Sequence, residues 1–444
     1  MNPKSTPPFA GIALLLFAAS MANAQDWPQW NGPNRDGTTE QPVQPSFAKP
    51  ASPLWSVKVG LGYSGPVISG DQLIVTDYVL QSGEITNNAG KRDKLTGKER
   101  IQCFHSETGE KLWDYSYDRP YSLSYPGGPR ATPTIHDGRV YALGSEGDLL
   151  CHSLKTGKVI WQTSFNVDFG AKTPIWGHAA SPLVYQDQLI CMVGGEGSLV
   201  VSFDLASGEV IWKNLTSRDN ETGYCPPTIV TAGGTDQLII WDPTTVYSLN
   251  PKTGKTYWSE AVVPGYGMSI LSPITDGELL FISGESRTSA MMRLASDTPA
   301  AELLWRGGPK DSLYLATSNA VFDGDHIYGA DISSGALVCF EAESGTRKWQ
   351  SAIPTNGSKR KRGEAHASAF LIDVGDTYLI LSETGDLIHA NLTPEGYQEL
   401  DRFHAIDPTG KSMGRKVLWT YPAYANGSLY VRNDKELVCY KVAK

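Results

Sequence analysis

A short tryptophan motif recurs along the chain and constrains its fold more than any other feature. Five copies contain Thr or Ser, then Gly, three further residues and Trp, and they end at Trp113, Trp161, Trp212, Trp258 and Trp349. Trp305 falls in the one long gap, so successive tryptophans lie 48, 51, 46, 47 and 44 residues apart. A repeat of this length is typical of β-propeller blades or of helical solenoids.

The residues between the tryptophans favour strands over helices. The unit from Ser181 to Trp212 contains four short runs of alternating hydrophobicity, joined by three tight turns that include Ser207-Gly208. Such Gly- and Asp-containing turns tolerate the positive φ that hairpins need. Apolar residues at helical spacing and helix caps are missing from the sequence of this unit. The 45 Gly and 28 Pro of the 444-residue chain also fit many tight turns.

Eight units of this kind follow one another, and the first and last are complementary. They begin near Pro66, Pro133, Ser181, Pro227, Pro273, Asn319, Ala369 and Pro422. The last unit ends at Tyr440 without an outer strand, whereas residues 54–57 form an outer strand without a unit of their own. We therefore predict an all-β fold over residues 54–444, an eight-bladed β-propeller of four-stranded antiparallel blades whose ring is closed by the N-terminal strand.

The repeat tryptophans have a structural explanation in such a fold. An indole side chain buries about 150–250 Å² and can wedge between neighbouring blades. We expect this role for Trp55, Trp113, Trp161, Trp212, Trp258, Trp305 and Trp349.

The first 24 residues have the pattern of a secretory signal peptide. Lys4 precedes the apolar run 10–19, and Ala22-Asn23-Ala24 supplies small residues ahead of a cleavage site. The run is too short to cross a bilayer, which takes about 20 residues, and residue 25 is Gln rather than the Cys of a lipoprotein. We expect a secreted or periplasmic monomer with no transmembrane segment, in which residues 25–53 form an N-terminal extension.

The cysteines follow the repeat rather than a disulfide pattern. One repeat position carries only small residues, namely Cys103, Cys151, Ser202, Ser248, Cys339 and Cys439. Equivalent positions in different blades cannot meet, and a disulfide needs Cα atoms within about 7 Å. We therefore expect these four cysteines to be buried free thiols. Cys191 and Cys225 lie in neighbouring units, and both a disulfide and free thiols stay open for them.

The arrangement of small residue, polar residue, Thr-Gly and Trp, as in residues 151–161, resembles the tryptophan-docking repeat of pyrroloquinoline quinone (PQQ) propellers. The stretches Asp26–Gly37 and Gly128–Pro133 resemble a branch of exported bacterial relatives. The resemblance implies the propeller fold and two contrasting kinds of exported protein. One is the quinoprotein dehydrogenases, and the other is the non-enzymatic BamB scaffold of the outer-membrane β-barrel assembly machinery.

In the dehydrogenases that this repeat resembles, PQQ lies on the axis over Ca²⁺ and beneath a vicinal disulfide. The sequence contains no Cys-Cys pair and no Cys-x-x-Cys-His haem motif, and its net charge of −9 argues against a nucleic-acid partner. We therefore predict a non-catalytic binding or scaffold propeller of the cell envelope, with no catalytic residue and no cofactor, whose partner is a protein or another envelope component. The alternative is a PQQ- and calcium-dependent dehydrogenase that oxidises an alcohol or a sugar.

Residues just ahead of each blade's first strand are expected to crowd the axial mouth of a propeller. The candidates there are Tyr63, Arg130, His178, Tyr224, Tyr314 and His366. Such a cluster can bind an anionic or planar ligand by stacking and bidentate hydrogen bonds. The alternative is that these side chains plug the channel and cap the strand ends. The two histidines have no identifiable third ligand beside them, so no metal site is predicted.

Two stretches interrupt the repeat. Residues 77–100 add about two dozen mostly polar residues between the second and third strands of the first blade, and form either a partner-binding or lid loop or a plain insertion. The basic run 359–362 is interpreted as a solvated loop, with a steering patch for an acidic partner as the alternative.

Overall fold

The computed structural model describes residues 25–49, 51–217, 221–308, 310–359 and 363–443. The predicted signal peptide, residues 1–24, lies outside the described residues, as do residues 360–362 of the basic run.

Eight antiparallel sheets of four strands follow one another along the chain, and each is one blade. The first strand of the chain, β1 (Trp55–Lys58), lies ahead of blade 1. Blade 1 contains β2 (Val67–Ser69), β3 (Gln72–Ser82), β4 (Asp93–His105) and β5 (Lys111–Asp118), with β6 (Tyr121–Leu123) as an additional partner of β4. Blade 2 contains β7 (Thr134–His136), β8 (Arg139–Leu143), β9 (Asp148–Ser153) and β10 (Val159–Ser164). Blade 3 contains β11 (Leu183–Tyr185), β12 (Gln188–Met192), β13 (Val200–Asp204) and β14 (Val210–Asn214).

The remaining blades repeat the same order. Blade 4 contains β15 (Thr228–Ala232), β16 (Thr235–Trp241), β17 (Thr245–Leu249) and β18 (Thr256–Ala261). Blade 5 contains β19 (Ile274–Thr275), β20 (Leu279–Gly284), β21 (Thr288–Leu294) and β22 (Ala301–Arg306). Blade 6 contains β23 (Ala320–Asp323), β24 (His326–Asp331), β25 (Ala336–Glu341) and β26 (Arg347–Ser351). Blade 7 contains β27 (Ala369–Asp373), β28 (Tyr378–Ser382), β29 (Asp386–Thr393) and β30 (Gly396–His404).

Blade 8 closes the ring. It contains β33 (Ala423–Ala425), β34 (Ser428–Arg432) and β35 (Glu436–Lys441), and β1 supplies its fourth strand. Trp55 of β1 lies opposite Cys439 of β35 in this antiparallel pair. The predicted eight-bladed fold and its closure by the N-terminal strand are therefore confirmed.

The other elements are short connections between or within blades. They are the hairpin of β31 (Gly410–Ser412) and β32 (Arg415–Val417), the helices α1 (Phe165–Asp168) and α2 (Ile353–Asn356), and a 3-10 helix over Gly265–Gly267. In the part of the chain that the structure describes, no helix has the length and apolar content that crossing a bilayer requires.

The repeat tryptophans tie neighbouring blades together. Trp113 of blade 1 donates its indole N–H to the carbonyl oxygen of Leu154 in blade 2, at 2.8 Å. Its ring also covers Gly157, where an added Cβ would lie 2.5 Å from a ring carbon. The same tryptophan-on-glycine contact joins Trp55 to Gly109, Trp161 to Gly208, Trp212 to Gly254 and Trp305 to Gly345. The Thr-Gly half of each motif therefore receives the tryptophan of the preceding blade.

The small residue of the repeat lies directly opposite the tryptophan of its own blade. The paired positions are Cys103–Trp113, Cys151–Trp161, Ser202–Trp212, Ser248–Trp258, Cys339–Trp349 and Cys439–Trp55. Residues opposite each other in an antiparallel pair share one face, so a small partner leaves room for the indole. All six cysteines are buried and free. The prediction for the four repeat cysteines is confirmed, and Cys191 and Cys225 are free thiols as well.

Residues 77–100 differ from the predicted loop. Most of this stretch continues β3 and β4 as a two-stranded ribbon, in which Asp77 pairs with Arg100 and Ser82 with Thr96, and only residues 83–92 connect the two strands. One face of the ribbon is buried, because Tyr78 packs in a small apolar cluster with residues of β4 and β6. The polar residues on the opposite face hide this strand pattern in the sequence.

The N-terminal extension fills the propeller axis. Trp27 forms a β-bridge with Ile68 in the first strand of blade 1, and Thr39 donates its backbone N–H to the carbonyl oxygen of Asp373 in blade 7, at 2.9 Å. Residues 26–39, here called the axial segment, thus run between the innermost strands of the ring. The channel is closed from that side.

Arg35 fastens the axial segment to the blades. Its guanidinium donates hydrogen bonds to the carbonyl oxygens of Pro182 at 3.0 Å, Ser181 at 3.2 Å and Pro227 at 3.3 Å, which precede or begin blades 3 and 4. It also lies 5.8 Å from the ring centroid of Trp30. Burial lowers the pKa of the Arg35 guanidinium to about 10, so the side chain stays charged at neutral pH.

Candidate ligand-binding site

A cavity of about 780 Å³ lies on the propeller axis. The axial segment lies on one side of it, and the connections between the blades surround it. Each blade contributes lining residues from the chain immediately before its innermost strand. Trp30 of the axial segment also lines the cavity and packs edge-on against Tyr421, with ring centroids 5.6 Å apart. The cavity is therefore a blind pocket whose floor is built from the N-terminal extension.

The wall is aromatic and arranged in edge-on or tilted pairs. The ring centroids of Trp176 and Tyr224 lie 5.6 Å apart, and those of Tyr125 and Trp419 lie 5.7 Å apart. The aromatic lining residues are Trp30, Tyr63, Tyr125, Trp176, Tyr224, Tyr266, Trp419 and Tyr421. Their faces suit a planar or cationic group, because aromatic rings stack on flat molecules and attract cations.

Arg130 places a positive charge in this aromatic wall. Its guanidinium carbon lies 5.1 Å from the ring centroid of Tyr63, and it donates hydrogen bonds to the carbonyl oxygen of Tyr125 at 2.5 Å and to the Ser145 hydroxyl at 3.4 Å. Among the described residues it forms no ion pair. Burial lowers the pKa of Arg130 and raises the pKa of Tyr63, so at neutral pH the phenol is uncharged beside an arginine that retains its charge.

Glu285 supplies the carboxylate of the site. It lies in the turn between β20 and β21 of blade 5, and one of its oxygens is 3.8 Å from Nδ1 of His366. That oxygen, Oε2, is buried and has no hydrogen-bond partner within the described residues. Of the described residues that line the cavity, no other carries a carboxylate.

Four of the six residues that the sequence predicts for the axial mouth line this cavity. They are Tyr63, Arg130, Tyr224 and His366. Each lies in the connection that leads into an innermost strand. The sequence prediction was based on this position, just ahead of the first strand of a blade.

The other two predicted residues are buried beside the cavity rather than in its wall. His178 packs edge-on against Phe165, with ring centroids 5.4 Å apart, and burial lowers its pKa to about 3. Tyr314 donates its hydroxyl to the carbonyl oxygen of Gly308, and its backbone N–H to the Asp331 carboxylate at 3.0 Å. In this structure both side chains serve packing and strand connections.

Two insertions meet at the mouth of the cavity. The tip of the β3–β4 ribbon contributes Ala89 and Gly90 to the lining, and the β31–β32 hairpin contributes Met413. The Asn87 side chain donates a hydrogen bond to the carbonyl oxygen of Lys411 at 3.0 Å, which joins ribbon to hairpin. The cavity thus opens between these two elements and the Tyr266 side chain, which is 83% exposed.

Several site residues were missed at the sequence level. Tyr421 directly precedes the last blade and satisfies the rule used for the other candidates, so the sequence did contain a signal for it. Trp30 comes from outside the repeat, and Glu285 from a turn within a blade, so that rule could not find either. Across the described ranges, no group of three or more His, Cys, Asp or Glu side chains is placed to hold a metal ion.

Fold and site together define an eight-bladed propeller with docked tryptophans and a blind aromatic cavity on its axis. Comparison with known families agrees with this class. The chain belongs to the family of PQQ-repeat propellers whose model is described as outer membrane protein assembly factor BamB, and that model matches residues 97–351.

Individual relatives carry two different names. The chain is 22% identical over 334 residues to quinoprotein alcohol dehydrogenase PedH of Pseudomonas putida, which covers 70% of this chain and 52% of the relative. It is 25% identical over 190 residues to the assembly factor BamB of Shewanella oneidensis, which covers 41% of this chain and 45% of the relative. The chain thus spans about half the length of these curated relatives.

A solved structure shows the same fold. BamB from Moraxella catarrhalis superposes with a TM-score of 0.56 at 14% sequence identity, covering 88% of this chain and 99% of that one. The resemblance predicted from the tryptophan repeat, to a family that includes BamB and quinoprotein dehydrogenases, is therefore confirmed.

Proposed function

We propose that the protein is a non-catalytic binding propeller of the bacterial cell envelope that holds a small planar anion in its axial cavity. The observation that carries this proposal is Arg130, a half-buried guanidinium in an aromatic wall that forms no ion pair among the described residues. The signal-peptide pattern of residues 1–24 and the relatives named outer membrane protein assembly factor support the location. In this proposal the monomer presents its ligand, or its occupied face, to a protein or another envelope component.

A half-buried cation favours an anionic ligand for energetic reasons. A charge removed from water without a counter-charge is costly, and hydrogen bonds to backbone oxygens offset only part of that cost. A carboxylate or sulfonate on a planar ligand supplies the missing charge through a bidentate hydrogen bond. The tyrosine and tryptophan faces then cover the flat body of the ligand.

The dehydrogenase alternative requires residues in the cavity that can hold a quinone and its calcium ion. The match to a quinoprotein alcohol dehydrogenase over 70% of the chain favours it. Calcium, however, takes about six to eight oxygen ligands, several of them carboxylates or amides, and Glu285 is the one carboxylate among the described lining residues. These residues do not fit a calcium-held quinone.

A fluorescent aromatic anion tests the binding proposal. We expect the wild-type protein to bind 8-anilinonaphthalene-1-sulfonate at one saturable site, and Arg130→Met to weaken binding by about tenfold or more, because a hydrogen bond to a charged group contributes about 1.5–3 kcal/mol. Ala316→Trp fills the cavity from blade 6 and should abolish binding. Equal binding by all three proteins would contradict the proposal, and thermal unfolding of each variant controls for folding.

A thermal scan with PQQ separates the two candidate functions. We expect no saturable increase in Tm with PQQ plus Ca²⁺ beyond that with Ca²⁺ alone. A ligand at 100 times its Kd would add about 2.7 kcal/mol and raise Tm by more than a degree in a chain of this size. A shift that requires both components would overturn the non-catalytic proposal and justify assays of alcohols and sugars with an artificial electron acceptor.

A further inference from the structure

We propose that the rim of the axial cavity docks on an anionic lipid surface, with its cations against the headgroups and its exposed apolar side chains inserted between them. The rim is defined here as four segments, namely the tip of the β3–β4 ribbon (residues 83–94), the β31–β32 hairpin (residues 410–417), residues 263–268 ahead of blade 5 and the turn residues 285–287. This surface goes beyond the proposed ligand binding and does not depend on what occupies the cavity.

Three apolar side chains of the rim are exposed to solvent. Tyr266 is 83% exposed, Val263 67% and Met413 55%. Tyr266 and Met413 both line the cavity at its opening, and Val263 lies three residues before Tyr266. Single exposed apolar residues are common on protein surfaces, but a group of them around one opening marks an interaction surface.

The rim is also basic, although the whole chain has a net charge of −9. Its exposed cations are Lys91, Lys94, Arg287, Lys411 and Lys416. None of these five forms an ion pair within the described residues. The exposed carboxylate of the rim is Glu84, and a second one, Glu364, lies two residues before the lining residue His366. The excess of positive charge suits an anionic surface.

The hairpin places an apolar tip between two of these cations. Lys411 and Lys416 lie opposite each other in the β31–β32 pair, and Met413 lies in the turn that joins the two strands. The Asn87 side chain, which donates to the carbonyl oxygen of Lys411 at 3.0 Å, holds the ribbon tip beside the hairpin. Segments that bind a bilayer interface have this order, with apolar side chains among the acyl chains and cations at the headgroups.

The opposite end of the propeller is acidic. Innermost strands begin at the cavity, so the turns between the first and second strands lie at the other end of the ring. Six of these eight turns expose an aspartate, namely Asp71, Asp137, Asp187, Asp276, Asp325 and Asp376. An anionic surface repels this end and attracts the rim, so the charges orient the cavity opening towards the lipid.

A bilayer fits this rim better than a folded protein does. The rim surrounds the opening of a cavity of about 780 Å³, so its apolar side chains do not form one continuous face. A stable interface between proteins buries about 800 Å² on each partner around a closely packed core. Fluid lipid chains, in contrast, can surround separate side chains. Tyr266 also has the amphipathic ring that is enriched at membrane–water interfaces.

Vesicle flotation tests the docking. The protein used is the mature chain, residues 25–444, so that the apolar run 10–19 does not contribute. We expect it to bind vesicles of phosphatidylcholine that contain about one third phosphatidylglycerol, and to bind pure phosphatidylcholine about tenfold more weakly or less. Raising the salt to about 0.5 M should release most of the bound protein, because salt screens charges at a surface.

A matched pair of variants assigns the binding to the rim. The rim variant replaces four exposed lysines by glutamine, at Lys91, Lys94, Lys411 and Lys416. The control variant makes the same change at four exposed lysines of the opposite end, Lys155, Lys158, Lys252 and Lys255. Both lose the same charge, so only the position differs. We expect the rim variant to bind anionic vesicles about tenfold more weakly than the wild type or less, and the control variant to bind as the wild type does.

A fluorescent label tests whether the hairpin tip enters the bilayer. All six native cysteines are buried, so Met413→Cys adds an accessible thiol that can be labelled selectively. A polarity-sensitive nitrobenzoxadiazole label at this position should become brighter and shift to shorter wavelength on anionic vesicles. The same label in Lys158→Cys, at the opposite end, should not change. The Tm of each variant shows whether it is folded.

Three results would overturn the inference. The first is no binding of the wild type to anionic vesicles, which would leave the basic rim to an acidic protein partner. The second is an equal loss of binding in the rim and control variants. The third is an unchanged label in Met413→Cys on vesicles that bind the protein. Each of these would leave the aromatic sulfonate test of the cavity unaffected.

Discussion

Replacing Gly157 with alanine is expected to lower the free energy of unfolding by about 3 kcal/mol, whereas the same change at Gly138 should cost about 1 kcal/mol. The two glycines lie in blade 2 and have the same φ of +69°. At Gly138 an added Cβ meets nothing within 4 Å, so only the backbone cost of a positive φ applies. At Gly157 the Cβ would lie 2.5 Å from the Trp113 ring and must displace it.

The difference between the two variants measures tryptophan docking alone. Urea unfolding of the wild type and of both variants gives the two free-energy losses, provided that the denaturant dependence is unchanged. Displacing Trp113 also breaks its 2.8 Å hydrogen bond to Leu154, which adds to the loss at Gly157. Equal losses for Gly157→Ala and Gly138→Ala would show that the indole adjusts without cost and that docking contributes little.

This contact explains why the fold could be predicted from the sequence. Each motif contains both halves of an inter-blade joint, the glycine that receives one tryptophan and the tryptophan that covers the next glycine. The motif is short and regular, so it can be recognised in the sequence although the residues between its copies differ. Trp258 and Trp349 have no receiving glycine. The Trp349 indole still donates to the carbonyl oxygen of Thr393 in blade 7, at 2.7 Å, whereas the Trp258 indole donates to Gln237 of its own blade, at 2.9 Å.

The candidate site was predicted only where it follows the same periodicity. Tyr63 and Arg130 precede innermost strands, so the repeat frame locates them at the axis. Trp30 reaches the cavity from the N-terminal extension. No local sequence pattern predicts that this extension enters the ring. Glu285 is notable because one of its oxygens is buried without a hydrogen-bond partner among the described residues. Such burial depends on packing and cannot be predicted from the sequence.

The axial segment links the stability of the propeller to the shape of its cavity. The same residues that fill the channel place Trp30 under the ligand site. Arg35 holds this segment by bonding carbonyl oxygens of blades 3 and 4, and only 7% of the residue is exposed. A loss of these bonds should therefore act at two places, on the unfolding of the ring and on the floor of the cavity.

Arg35→Ala is accordingly expected to lower the free energy of unfolding by about 3 kcal/mol, because it takes a donor from three buried carbonyl oxygens, of which that of Pro182 keeps the Thr134 hydroxyl, and because it opens a cavity in the axis. Arg306→Ala is the matched control. Like Arg35, Arg306 donates to a backbone carbonyl oxygen, that of Ala261, and it also pairs with the Glu260 carboxylate. Arg306 is exposed, so its loss should cost under about 1 kcal/mol. Urea unfolding measures both effects, and chymotrypsin cleavage after Trp30 in the axial segment should become faster only in Arg35→Ala. If Arg35→Ala unfolds like Arg306→Ala and resists chymotrypsin as the wild type does, then Arg35 does not fasten the axial segment, and other contacts such as the Trp27 bridge to Ile68 must hold it in the ring.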